Sequence, residues 1–403
     1  MLDSPKLLIL HHNFPAQFVH ILRYRESKAL KTVFIYDSEA IIDFDSFSHT
    51  IVIKASCKPK KNSRGHQKQF DRALNYQHHF LSLKEEGFNP DVTLSHDGWG
   101  CGVFIKDIFP STFFICYNEW WFSHKGFKNV SIDPENEWLP YDIESSSLSI
   151  LRNSTTGIEL VNSDAIICPT NFQRNQLPPR LQEKAVTVYE PILAAEHISA
   201  SSLSDLSRSN NTLHYGKIYL TYATRGLEPM RCFPLFVSLL EDLLPNIPMN
   251  ARVLIAGSDT VNYGGKKPPN STFKAWAEDC LEPYSSRGIV KFVGKLPFES
   301  YLKLLQRSSL HFYLSRAFVP SWSLLDALYL GTPLLCSDIE PVRELTDSSD
   351  VSLVQNSDLP TCKEMIRSLL QSNSSLSSLR EKRAHLLSRH CKKKYLNSLN
   401  QLL

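Results

Sequence analysis

The sequence predicts an α/β protein built from two doubly wound domains, and three observations carry that reading. Short β-branched or aromatic runs alternate with longer helical stretches along nearly the whole chain. Several of these runs are apolar throughout, as expected of parallel strands covered on both faces. A stretch rich in serine and asparagine, Ser199–Asn211, then breaks the pattern, and the pattern restarts after it.

The first half gives strands at Leu7–His11, Thr32–Tyr36, Ile51–Lys54, Val92–His96, Thr112–Tyr117, Ala165–Cys168 and Val186–Tyr189. Helices lie between most of them, for example Gln67–Glu86 and Ser145–Val161. The second half gives strands at Lys217–Tyr222, Val253–Gly257, Ile289–Val293, Leu310–Leu314, Pro333–Cys336 and Val351–Val354. Helices intervene at Cys232–Leu244, Ser271–Leu281, Phe298–Gln306, Ser321–Leu330 and Leu359–Leu370. The expected domains are therefore residues 1–198 and 212–390, followed by a basic helical end, part of the stretch Leu376–Leu403. Two such halves suggest a ligand in a cleft between them, beyond the carboxyl ends of the strands. Residues just after a strand are the ones to read for chemistry.

Composition removes several classes of function. A 42% hydrophobic and 21% charged chain is ordinary for a globular protein, which excludes wholesale disorder. A net charge of +3 argues against a general nucleic-acid binder. No apolar run approaches the roughly 18–20 residues of a membrane span. The first residues, Met1 to Lys6, show no basic segment leading into a cleavable apolar one, so no secretory signal is expected. The nine cysteines are scattered, odd in number and without metal-ligand spacing, which points to reduced thiols in a cytoplasmic protein. His11-His12 and His78-His79 are adjacent pairs whose side chains point apart, so no metal site is expected.

Five constellations could carry chemistry. Arg225 and Arg231 bracket a Gly/Pro turn after the strand Lys217–Tyr222; a guanidinium fork suits phosphate, and surface ion pairs are the alternative. In the stretch 318–331, Ser321 reads as a helix N-cap and Gly331 as the stop. That would leave amides near Ser323, Leu324 and Leu325 to seat a diphosphate. Asp326, one turn further, is either a helix-dipole carboxylate or an acceptor for ribose hydroxyls. In His96-Asp97-Gly98-Trp99-Gly100-Cys101-Gly102, three alternating glycines would let a backbone approach a ligand, without forming a P-loop. His96 at the strand end is a structural hydrogen-bonder or a ligand-facing residue. Asn13 to Phe18 form a tight turn after the first strand that would face the other domain. Finally, Lys54, Lys58, Lys60, Lys61, Arg64 and Lys68 form a basic run, either a solvated loop or a peripheral contact for anionic lipid headgroups.

Taken together these motifs resemble the family 4 glycosyltransferases, which have the GT-B fold: two Rossmann-like doubly wound domains facing across a cleft. The resemblance is to a bacterial branch. It rests on His12-Asn13-Phe14-Pro15-Ala16-Gln17-Phe18, on His96-Asp97-Gly98-Trp99-Gly100 followed by Lys106-Asp107-Ile108-Phe109-Pro110, and on Pro169-Thr170-Asn171-Phe172-Gln173-Arg174. Arg225 through Phe233 and Trp322-Ser323-Leu324-Leu325-Asp326-Ala327 complete it, in the family's order and spacing.

The resemblance implies a retaining enzyme that moves a sugar from a nucleotide-diphosphate donor to a glycan, lipid or protein acceptor, with no cofactor beyond that co-substrate. The second domain would bind the donor: Arg225 and Arg231 on the leaving diphosphate, Ser323, Leu324, Leu325 and Asp326 on the diphosphate and ribose, and Gly294 gripping the base. The first domain would bind the acceptor through Asn13, Phe14, Gln17 and Gly98, with His96 near the reacting sugar. The last helix, about Cys391–Leu403, would pack back on the first domain. The family's paired glutamates fall on Phe318 and Asp326. Phe318 cannot accept a hydrogen bond, which points to an altered donor or to a binding protein without turnover; the branch's own apolar residue there favours activity. A GT-B epimerase or phosphorylase shares the architecture, but a phosphorylase would need a lysine-bound pyridoxal group and a longer chain. The expected location is cytoplasmic, with at most peripheral binding at the inner face of a membrane.

Overall fold

The computed structural model describes residues 3, 6–38, 47–56, 65–130, 138–198, 217–268, 271–347, 351–356, 358–371 and 379–402. The expected linker Ser199–Asn211 and the basic residues Lys58, Lys60, Lys61 and Arg64 lie outside the described residues. Lys54 and Lys68, at the ends of that run, are exposed.

The chain forms two compact units. In the first, seven strands make a parallel sheet: β1 (Leu7–Leu10), β2 (Thr32–Tyr36), β3 (Thr50–Lys54), β4 (Val92–His96), β5 (Phe113–Tyr117), β6 (Ala165–Cys168) and β7 (Ala185–Thr187). Their order is β3-β2-β1-β4-β5-β6-β7. All four residues of β1 are buried, which is why this run does not alternate with polar residues. Leu7 and Ile9 enter one apolar cluster with Phe34 and Ile115. Leu8 and Leu10 enter another with Val33, Ile35 and Phe114, on the opposite face of the pleat.

The second unit repeats the plan with six strands: β8 (Ile218–Gly226), β9 (Ala251–Ser258), β10 (Val290–Gly294), β11 (Leu310–Tyr313), β12 (Leu334–Ser337) and β13 (Ser352–Val354). Their order is β10-β9-β8-β11-β12-β13, again all parallel. Tyr222 stacks on Phe236 with ring centroids 4.5 Å apart, and Phe312 closes the same cluster. In both sheets the strand order reverses beside the first strand, between β1 and β4 and between β8 and β11. Chain leaving those two strands diverges to opposite faces, and the crevice it opens at their carboxyl ends is the place for a ligand.

The unit borders differ from the expected 1–198 and 212–390. The first unit comprises residues 1–127, 142–191 and 390–403, and the second 128–141 and 192–389. Residues 192–198 go with the second unit because Asp326 Oδ1 accepts a hydrogen bond from Ala194 N at 2.9 Å and Tyr329 Oη donates to Ile198 O at 2.8 Å. Residues 128–141 go with it because Trp138 packs on Phe273 and Trp276, its carbonyl accepts from Lys266 N, and Val130 and Leu139 cover Met230. The helix Lys392–Gln401 lays Tyr395, Leu396 and Leu399 into the apolar cluster of the first unit.

Two expected helices are broken. Ser145–Val161 is two helices, Ile143–Ile150 and Asn153–Asn162. At the break, Arg152 turns over the Phe122 ring, and Asn153 exchanges two hydrogen bonds with the Phe122 backbone. The end of the chain is likewise two helices, Leu379–His390 and Lys392–Gln401; Cys391 between them is extended and its Sγ accepts from Lys394 N. The eight described cysteines are free thiols. Among the described residues no helix is long and apolar enough to cross a membrane, and no group of three or more His, Cys, Asp or Glu could hold a metal ion.

Candidate functional site

At the carboxyl edge of the first sheet, β1, β4 and β5 deliver three polar side chains to one place. His96 ends β4 and is buried; its Nδ1 accepts from Gly98 N at 3.3 Å, and its Nε2 lies 3.8 Å from Glu119 Oε2. Gln17, past β1, donates from Nε2 to Glu119 Oε1 at 3.3 Å. Glu119, two residues beyond β5, is about a third exposed and was not singled out from sequence. Its only signal there was its place just after a strand. His11 packs edge-on against His96, with centroids 4.8 Å apart, and its Nδ1 accepts from Asn13 N at 2.7 Å. Burial first, then the neighbouring His96 and His12, hold the His11 imidazole well below its ordinary pKa, so it stays neutral.

The loop after β4 folds over His96 and explains its glycines. A Cβ on Gly98 would sit 3.1 Å from His96 Cε1. At Gly100, with φ +79°, it would sit 2.8 Å from Gln69 O. At Gly102 it would meet Glu159 Oε2, Phe114 and Ser95 Oγ, all within 2.8 Å. The alternating glycines therefore make room for the protein's own groups. Behind the loop, Asp97 is fully buried and accepts from Asn118 Nδ2 at 2.8 Å; burial pushes its carboxyl up to about 7. Phe14 also departs from expectation. It is buried, with its ring against Phe34, Tyr36 and Phe47, so it supports the turn from the core and offers no surface to an acceptor. Asn13 and Gln17 remain partly exposed on that turn.

At the carboxyl edge of the second sheet the charge is positive. Arg225, near the end of β8, is exposed. Arg231, on the short 3-10 turn Pro229–Arg231, is only 8% exposed. Its Nη1 donates to Ser315 Oγ at 2.9 Å and its Nη2 to Val319 O at 3.2 Å, and the guanidinium lies over the Tyr263 ring. These partners are neutral. The nearby carboxylate of Glu228 is committed to Asn262 N and Tyr263 N, at 2.6 and 2.9 Å. Burial works against the charge, but Tyr313, Tyr263 and Glu228 around it keep Arg231 protonated. Ser315 is itself held by Ser337 Oγ and Asn356. Arg316, just past β11, is a second buried guanidinium whose backbone N donates to Met230 O. It was missed in the sequence, although a basic residue after a strand at the reversal point was the available signal.

The helix Trp322–Leu330 starts and stops as expected, with Ser321 as N-cap and Gly331 at φ +71°. Two of the three expected amides are taken: Ser323 N donates to Ser321 Oγ and Leu324 N to Ser321 O, and the Leu324 and Leu325 side chains are buried. Asp326 is also committed: it is 2% exposed, bonded to Ala194 N and close to Tyr301, and burial raises it to about 7. It therefore ties residues 192–198 to this helix and has no free face for a ribose. Gly294 ends β10 at φ +68° with open space where a Cβ would be. Phe318 packs edge-on against Tyr263, beside Met230, Val130 and Leu139.

Comparison with known proteins adds to this geometry. Residues 45–194 match the model of the Glycosyl transferase family 4 group. No curated protein matches the chain in sequence. Among solved structures, sucrose-phosphate synthase from Thermosynechococcus elongatus is similar with a TM-score of 0.72 at 13% identity, over 99% of this chain and 98% of that one. HepE of Anabaena, in complex with UDP and glucose, gives 0.69 at 12% identity over 99% of both chains. The catalytic domain of starch synthase IV from Arabidopsis thaliana, bound to ADP and acarbose, gives 0.67 at 10% identity over 98% of both. These likenesses establish the fold: two Rossmann-like domains of the GT-B type.

Proposed function

We propose that this chain, a glycosyltransferase by its family 4 domain and its GT-B fold, is a retaining enzyme that moves a sugar from a nucleoside-diphosphate sugar to an acceptor. The observation that carries the reading is Arg231: a guanidinium more than nine-tenths buried whose hydrogen bonds, among the described residues, go to neutral oxygens, at the strand-order reversal of the second sheet. A buried charge without a bonded carboxylate is costly and suits an anion supplied from outside. The exposed Arg225 on the same connection gives that anion a second donor. A leaving diphosphate matches this pair, and charge developing on it during transfer would be stabilised there. The nucleotides named for HepE and starch synthase IV support the choice of ligand class. Gly294, with open space over its backbone, suits the base, and the start of the helix at Ser323–Leu325 contributes its positive dipole end. His96 and Glu119 with Gln17 and Asn13 form the polar edge for the acceptor in the first unit. The free thiols fit a reducing compartment, hence a cytoplasmic enzyme.

The test is a panel of nucleotide sugars with UDP, ADP and GDP leaving groups, scored for release of the nucleoside diphosphate and for the anomeric configuration of the product. Turnover of at least one donor with retained configuration is expected. Inverted product would overturn the retaining assignment. Binding of a nucleoside diphosphate without any turnover would favour the second reading, a sugar-nucleotide-binding protein, which Phe318 in place of a hydrogen-bonding side chain supports.

A further inference from the structure

The first unit gathers its exposed apolar side chains on a few helices. Of the twelve large hydrophobic side chains exposed among the described residues, eight lie on Gly65–Glu85, on Ile143–Ile150 with the Leu151 that ends it, and on Asn153–Asn162. The long first helix packs against both of the others. Its inner face sends Tyr76, Phe80 and Leu83 into the core beside Leu8 and Val33. On its outer face Phe70, Leu74 and Leu81, spaced i, i+4 and i+11, fall in one stripe and are 44, 53 and 43% exposed. A lone exposed leucine needs no explanation, but a stripe of three large side chains marks an interaction surface.

The charges at the two ends of this helix say what covers the stripe. Its first turn has no acidic residue and carries the exposed Lys68 just after it. Its far end carries the exposed Glu85 and Glu86. The basic residue of the last turn, Lys84, does not pair with them, because its Nζ donates to Ile108 O at 2.7 Å. Glu86 accepts from Ser82 Oγ at 3.2 Å, and among the described residues neither glutamate nor Lys68 has an ion-pair partner. A cation near the start and carboxylates at the end both oppose the helix dipole. A second copy of the same helix, lying antiparallel, reverses this: its acidic end meets the positive start of the first, and its Lys68 end meets the negative one.

We propose that the outer face of Gly65–Glu85 is a self-association surface, on which two copies of this chain pair antiparallel about a twofold axis. The stripe is self-complementary in that arrangement. Phe70 of one copy lies across from Leu81 of the other, Leu74 lies beside the axis, and Lys68 of one copy stands beside the Glu85–Glu86 end of the other. The surface is an apolar row with opposite charges at its two ends, the layout of an isologous interface core with a polar rim. An anionic bilayer fits it less well, because Glu85, Glu86 and the neighbouring Glu144 are exposed carboxylates that such a surface repels. The proposal does not depend on the transferase reading, since it uses none of the residues placed at the carboxyl edges of the two sheets.

The experiment is sedimentation equilibrium of the full chain from about 1 to about 200 μM, with circular dichroism melts to check each variant's fold. Wild type should pass from monomer to dimer over that range. Leu74→Glu, which sets a charge beside the axis, should weaken the dimer at least about 30-fold. Lys68→Glu and Glu85→Lys should each weaken it about 3- to 5-fold, and the double variant, which swaps the two charges, should recover wild-type association. If Leu74→Glu does not fold, Phe70→Gln and Leu81→Gln carry the same test. A chain that stays monomeric, whether or not it pellets with phosphatidylserine vesicles, overturns the proposal. So does a dimer as strong in Leu74→Glu as in wild type, which would place the contact elsewhere. A double charge variant weaker than either single one overturns the antiparallel pairing.

Discussion

The two sheets share a strand order, yet their carboxyl edges are opposite in character. The first gathers His11, His12, His96, Glu119 and the buried Asp37 and Asp97, with Arg72 paired to a carboxylate. The second gathers Arg225, Arg231 and Arg316, and its nearby carboxylates, Glu228 and Asp326, are turned toward backbone amides. Topology therefore fixes where a ligand can sit, and the side chains fix which ligand. The first edge is equipped to exchange protons, the second to hold an anion.

The largest effect should come from filling the loop under the first edge. Gly102→Ala places a methyl 2.5 Å from Glu159 Oε2 and 2.8 Å from both Phe114 Cζ and Ser95 Oγ. Such overpacking should cost about 3 kcal/mol of stability, read by denaturant unfolding. A variant as stable as wild type would mean that this loop is not the tight cover described.

A smaller effect separates the edges by pH. The raised pKa of Asp326, about 7, means that the folded second unit holds a proton the unfolded chain releases near pH 4. Its contribution is therefore present below about pH 4 and is lost as the pH rises through about 7. His311, buried in β11 and lowered to about 3, acts in the opposite direction: its contribution fades as the pH falls below about 6.5. Asp326→Asn should raise the melting temperature relative to wild type at pH 8 more than at pH 5. Equal shifts at the two pH values would contradict the buried, proton-holding carboxyl.

Much of this was legible in the sequence, and the parts that were not have a common cause. Apolar runs such as Leu7–Leu10 mark strands because both faces of the sheet are covered, and Ser321 and Gly331 mark helix ends through local cap chemistry. Arg231 after β8 was legible from its position. The excursion 128–141 was not, because Trp138 is placed by Phe273 and Trp276, far along the chain. The same holds for Asp326 on Ala194, for Gly102 against Glu159, and for His12, whose partners are 25 and 60 residues away. Local pattern gives the element; only the folded contact shows whether its polar group is free or already spent.

The most direct test of the contrast between the edges is calorimetric titration with UDP and with uridine, for wild type, Arg231→Lys and His12→Gln. Losing one charge-assisted contact of about 1.5–3 kcal/mol should weaken UDP binding by about 10- to 150-fold in Arg231→Lys. Uridine binding should be unchanged in that variant, and His12→Gln should bind UDP as wild type does. UDP binding that survives Arg231→Lys intact, or that falls in His12→Gln instead, would contradict the placement of the anion on the second edge.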